Sequence, residues 1–145
     1  YREYLQIIGS LSNLFSSSDT PYLYYRIAEK MFCKAFRAKD LSRGDVSYDA
    51  QKGLLGIGLK TFLRANNNSI QKIAEFNRDR ELYNELSNIF KIKKIAELRN
   101  RRIDFTNNLY GIKDSIYHCV VRDKGKFFIF EEKTHKIDID SVSNV

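Results

Sequence analysis

Residues 45–62, Asp-Val-Ser-Tyr-Asp-Ala-Gln-Lys-Gly-Leu-Leu-Gly-Ile-Gly-Leu-Lys-Thr-Phe, constrain this chain more than any other stretch. Val46, Tyr48 and Ala50 alternate with Ser47, Asp49 and Gln51, Lys52-Gly53 supplies a turn, and Leu55, Ile57, Leu59 and Thr61 resume the alternation. A period of two on both sides of a short glycine turn predicts a β-hairpin with one buried face. Gly56, Gly58 and Lys60 share the opposite face. Glycine inside a strand weakens it and often marks a place where a ligand or another backbone comes close. This face therefore reads as an opening rather than a packing surface.

The rest of the chain supplies helices to cover that hairpin. Tyr4, Ile8, Leu11 and Phe15 recur at helical spacing, predicting a helix from about 2 to 16 that stops in Ser16-Ser17-Ser18. Thr20 and Pro21 fit the cap and first turn of a second helix, with a stripe of Leu23, Ile27, Met31 and Ala35 reaching about Arg37. Its other face carries Arg26, Glu29 and Lys30. After a polar connection over 38–44 and the hairpin, Arg64 to Ser69 reads as a loop. Ile70 to Phe76 reads as a third strand, or alternatively as the start of a helix, because a third strand gives a hairpin independent stability. A long helix follows from Asp79 to about Leu98, marked by Leu82, Leu86, Ile89 and Ala96 and ending in the basic cluster Arg99, Arg101, Arg102. The period then returns to two. Ile116–Arg122, the turn Asp123–Gly125 and Lys126–Glu131 predict a second hairpin within a region of about 115–140, and Ile137 and Ile139 hint at one more strand. The pattern is that of one mixed α/β domain spanning 1–145, with a central mixed sheet flanked by helices.

Composition narrows the function classes. At 43% hydrophobic and 30% charged, the 145 residues match a globular domain, which excludes disordered and collagen-like classes. No apolar run approaches the ~20 residues of a membrane helix, and the start has no signal-peptide layout, so no membrane partner and a cytoplasmic location are expected. Tyr1 at the start and Val145 at the end of a strand-rich region suggest a piece of a longer protein. Cys33 and Cys119 have no metal-ligand spacing and read as buried free thiols. A net charge of +7 favours a polyanionic partner, because each neutralised phosphate releases counterions.

The hairpin carries residue types suited to one chemistry. Phosphodiester hydrolysis at neutral pH uses a divalent metal held by carboxylates and water, with a lysine to orient the attacking water and offset developing charge. Asp49 and Lys60 supply such groups, but Gly58 stands two residues before the lysine where a second acid is wanted. If 64–69 close a hairpin with Leu63 facing Ile70, Glu75 falls opposite Gly58 and fills the gap. A strict two-residue turn at Lys52-Gly53 sets Asp49 opposite Gly56 and Asp45 opposite Lys60, while a bulge would shift this register. Asp49 is therefore the first candidate and Asp45 the second.

Asp49-Ala50 followed by Gly56-Ile57-Gly58-Leu59-Lys60-Thr61-Phe62 resembles the active-site hairpin of restriction endonucleases in the PD-(D/E)xK nuclease superfamily. The resemblance covers about residues 20–78. It implies a Mg²⁺-dependent endonuclease for double-stranded DNA, with Mn²⁺ able to substitute, of the kind found in restriction–modification. By position, Asp49 would bind metal, Lys60 would be the catalytic lysine, and Glu29 matches the acid that members place on the preceding helix. Gly58 departs from the pattern, which implies either a migrated acid, here Glu75, or an inactive relative. Arg99, Arg101 and Arg102 are the phosphate-contact candidates, and cutting both strands of a palindrome would favour a two-fold homodimer.

Blander readings stand beside these. Asp45, Asp49 and Lys60 fit solvated edge-strand positions, Glu29 an exposed helix face, and the arginines a helix C-terminus favoured by the dipole. His118, between Ile116 and Val120, reads as a hydrogen-bonded core histidine. A basic nucleic-acid-binding module without catalysis is the main alternative function, and a protein-interaction domain is the third.

Overall fold

The computed structural model describes residues 1–64 and 75–143. Five strands form one sheet in the order of the chain: β1 (Lys39–Asp40), β2 (Ala50–Lys52), β3 (Leu55–Leu63), β4 (Asp114–Asp123) and β5 (Lys126–Lys133). All neighbours are antiparallel except β3 and β4, which run parallel over nine residue pairs from Leu55–Asp114 to Leu63–Arg122. Parallel neighbours need a crossover, and helix α3 (Asn88–Tyr110) lies within it. With α1 (Arg2–Ser12) and α2 (Tyr25–Phe36), the domain is a helix-flanked mixed sheet of the α+β class, as the sequence predicts. Among the described residues no helix is long and apolar enough to cross a membrane.

The first hairpin forms with its turn one residue later than expected. Gly53 takes a φ of 58°, open to glycine, and Lys52 faces Leu55 across Gly53-Leu54. The register therefore moves by two: Gly56 faces Gln51 rather than Asp49, and Asp45 lies outside the strand instead of opposite Lys60.

Helix α2 starts at Tyr25, with Pro21 to Tyr24 lying ahead of it, so Thr20 caps nothing. Its buried face is Ala28, Glu29, Phe32 and Cys33, one step round from the expected stripe. The rings explain the rotation. Phe32 packs against Phe36 and Tyr1 at 4.6 and 5.8 Å and closes a cluster with Cys33, Ala50, Ile57 and Leu59. Ile27 is left exposed, and Glu29 is carried inside rather than onto an outer face. A second cluster joins Leu5, Leu23, Ala28 and Val120.

Helix α1 ends at Ser12, short of the expected 16, and the expected 79–98 helix is also displaced. A short 3₁₀ helix spans Asn77–Leu82, where Leu82 is exposed, and α3 runs on to Tyr110, where Gly111 at φ 64° stops it. The Arg99–Arg102 cluster is thus mid-helix, and a C-terminal dipole cannot account for it. The third strand expected over 70–76 falls mostly on residues 70–74, outside the described residues, and Glu75 and Phe76 are irregular. Gly58 faces Tyr117 of β4, not Glu75.

The second hairpin agrees closely with expectation, but Ile137 and Ile139 form no strand. The Asn100 amide instead donates to the Ile137 carbonyl and accepts its N–H, at 2.8 and 2.9 Å, and so ties this segment to α3. His118 is buried, with its ring nitrogens 3.0 Å from Glu131 and 3.3 Å from the Tyr1 hydroxyl, a core histidine as expected. Cys33 and Cys119 are buried free thiols.

Candidate active site

The site lies just before β2 begins, where β3 continues past it. The Asp49 N–H donates to the Ile57 carbonyl at 2.9 Å, the last backbone contact before the strands part. Beyond it, Asp49 Oδ2 accepts the Leu59 N–H at 2.7 Å, doing for β3 what a further strand carbonyl would have done. Lys60 Nζ stands 3.5 Å from the same oxygen, and both side chains are only about a quarter exposed, at 24% and 22%. A partly buried carboxylate with two donors is well fixed in position.

Around this pair lies a cavity of about 250 Å³ lined by Asp49, Lys60, Glu75, Arg99, Arg102, Tyr117 and others. Three cationic and two anionic side chains meet there. Arg99 is braced by donation to the His135 carbonyl at 2.8 Å and the Tyr117 hydroxyl at 3.3 Å. Arg102 donates to Asp45 at 2.6 Å, and Thr106 ties the same helix to the hairpin by accepting the Ser47 N–H at 3.0 Å. Thr134 Oγ1, also in the cavity wall, is buried without a hydrogen-bond partner among the described residues.

Glu29 approaches from α2. Burial first, and then the negative charge of Asp49, raise its pKa above the ordinary carboxylate range. The Cys33 thiol is pushed up to about 11, mainly by burial and then by Asp40, Glu29 and Asp49. Both shifts come mainly from burial, with acidic neighbours that include Asp49 adding to it.

The structure thus brings Asp49, Lys60, Glu75, Arg99 and Arg102 to one cavity, with Glu29 close to Asp49. Asp45 and Arg101 are elsewhere: both line an adjoining groove of about 630 Å³, where Asp45 is paired with Arg102 and Arg78. The two glycines are not an opening. A Cβ at Gly56 would lie 2.6 Å from the Tyr48 ring, and one at Gly58 2.8 Å from the Tyr117 ring. Sequence reasoning read the close approach correctly and its occupant wrongly. The sequence carries no signal for Tyr117 or Thr134: strand alternation does not say that the Tyr117 ring crosses to Gly58 of the neighbouring strand, and Thr134 lies just past the end of β5.

No family model, curated protein or solved structure matches the chain. Among the described residues no group of three or more His, Cys, Asp or Glu side chains is placed to hold a metal ion. Mg²⁺ commonly takes only one or two protein carboxylates and fills its shell with water and substrate phosphate. Asp49 and Glu75, both on the cavity, are donors of that kind.

Proposed function

We propose that the chain is a Mg²⁺-dependent endonuclease acting on double-stranded DNA, similar to restriction enzymes of the PD-(D/E)xK superfamily. The observation that carries this reading is the Asp49–Lys60 pair, 3.5 Å apart in a cavity that also holds Glu75, Arg99 and Arg102. Asp49 and Glu75 would hold the metal, which supplies Lewis-acid activation of the phosphate and of water. Lys60 would orient the attacking water and offset charge on the phosphate oxygens. Arg99 and Arg102 would hold the backbone, and a chain with a net charge of +7 suits a polyanion. With DNA as substrate, the cytoplasm is the expected compartment.

One observation favours the non-catalytic DNA-binding alternative. The position of the missing acid, Gly58, is filled by the Tyr117 ring. Plasmid cleavage across a range of Mg²⁺ and Mn²⁺ concentrations separates the two. The catalytic reading expects nicking that falls by roughly two orders of magnitude or more in Lys60→Ala and in Glu75→Ala, with salt-sensitive DNA binding retained. Binding without cleavage by the unmodified chain would leave the alternative. Wild-type rates in Glu75→Ala alone would remove that residue from the metal site.

A further inference from the structure

Strand β5 ends the sheet among the described residues, and Phe128 to Lys133 are all exposed. Edge strands normally carry a guard against pairing with another chain: a proline, a bulge, or a charge in mid-strand. Here the register with β4 is unbroken from Asp123–Lys126 to Ile116–Lys133, the only proline of the chain is Pro21, and residues 127–130 read Phe-Phe-Ile-Phe, with the charges on either side, Lys126 before this run and Glu131 to Lys133 after it. Phe128, Ile129 and Phe130 remain 38%, 38% and 46% exposed.

We propose that this edge pairs with the same edge of a second copy, antiparallel about a two-fold axis, to make one continuous ten-stranded sheet. The strand matches itself best in one register. Lys-Phe-Phe-Ile-Phe-Glu-Glu-Lys is basic at its start and acidic near its end, so antiparallel pairing sets opposite charges together. With Ile129 on the axis, Phe128 meets Phe130 of the partner subunit and Lys126 meets Glu132 of the partner subunit. Symmetry makes each of these contacts twice. Strand alternation puts Lys126, Phe128, Phe130 and Glu132 on one face, so each pair meets side to side. Moving the axis to Phe130 sets Phe128 and Ile129 both against glutamates, and moving it to Phe128 sets Lys126 against a phenylalanine; each move also loses the Lys126–Glu132 pair. On the other face Ile129 meets Ile129 of the partner subunit and Phe127 meets Glu131 of the partner subunit, beside a cavity of about 570 Å³ between α1 and β5 walled by Leu5, Gly9, Pro21, Phe127 and Ile129.

The ion pairs give a test that separates this register from adventitious association. Lys126→Glu places like charges at both ends of the paired strands, and Glu132→Lys does the same with the opposite sign. An equimolar mixture of the two variants restores both attractive pairs, but only in the mixed dimer. Sedimentation equilibrium should show the unmodified chain moving from 17.0 kDa towards twice that mass as concentration rises. Each variant alone should associate at least tenfold more weakly, and the mixture should recover the dimer. Thermal melts of both variants establish that they are folded. A chain that stays monomeric at all concentrations, variants that dimerise as well as the unmodified chain, or a mixture that fails to recover would each overturn the proposal.

Discussion

Gly58→Ala adds one methyl group at the point where β3, β4 and the site meet. Its Cβ would lie 2.8 and 3.0 Å from two carbons on the edge of the Tyr117 ring, closer than carbon atoms approach without displacement. The ring is not free to yield. Its hydroxyl accepts from Arg99 at 3.3 Å, and its face lies 5.8 Å from Lys60 Nζ. Overpacking of this kind costs about 1–3 kcal/mol, against a gain of roughly 0.5–1 kcal/mol from removing glycine from a strand. The net loss should be about 0.5–2 kcal/mol. At roughly 2–4 °C per kcal/mol for a domain of this size, the melting temperature should fall by about 1–8 °C. In a Tyr117→Ala background the collision partner is gone, and Gly58→Ala should become neutral or slightly stabilising. Urea denaturation of the four proteins closes the cycle, with an expected coupling of about 1–3 kcal/mol, the overpacking cost itself. Equal effects of Gly58→Ala in both backgrounds would refute the argument that the Tyr117 ring is what reserves this position for glycine.

Thr106→Val should cost about 1–3 kcal/mol in urea denaturation, because it strips the Ser47 N–H of its acceptor at a fully buried position, whereas Thr106→Ser should keep most of that stability. Glu29 has a raised pKa in the folded state, so its stabilising contribution is complete below the ordinary carboxylate range and is lost as pH rises through the raised value. Glu29→Gln should therefore melt higher than the unmodified chain at neutral pH, with the difference shrinking on acidification; a constant difference from pH 4 to 8 would contradict this. Asp45→Ala removes only exposed ion pairs to Arg102 and Arg78 and should cost about 0–1 kcal/mol, while freeing Arg102 and strengthening DNA binding at low salt. Loss of cleavage in that variant would instead assign Asp45 to the metal site.

The second hairpin was legible in the sequence because both of its signals are local: a period of two and a turn between Asp123 and Lys126. The first hairpin was legible to within its turn, and the one-residue error there moved every pairing by two. What remained hidden depended on partners distant in the chain. The phase of α2 is set by Phe32 and Phe36 meeting Tyr1, and the exposed Leu82 mimicked a helical stripe without belonging to one. For the site, Asp49, Lys60, Glu75, Arg99 and Arg102 share a cavity, but Glu75 reaches it from irregular chain rather than from a strand facing Gly58. Residue chemistry singled out side chains that share the cavity along with two, Asp45 and Arg101, that line the adjoining groove, and the register expected for Glu75 is not the one that brings it there.

The parallel β3–β4 ladder also shapes how the chain reaches its fold. Every β3 residue pairs with one 59 positions later, a separation repeated by the Arg64–Asp123 contact at its far end. Each hairpin closes a short loop and can form within microseconds, but the ladder between them must close the long crossover before a single pair is gained. Two hairpins formed early and a slow docking step through α3 is the order this connectivity imposes. Until docking, β4 presents an unsatisfied edge, so refolding yield should fall with protein concentration well before native stability does.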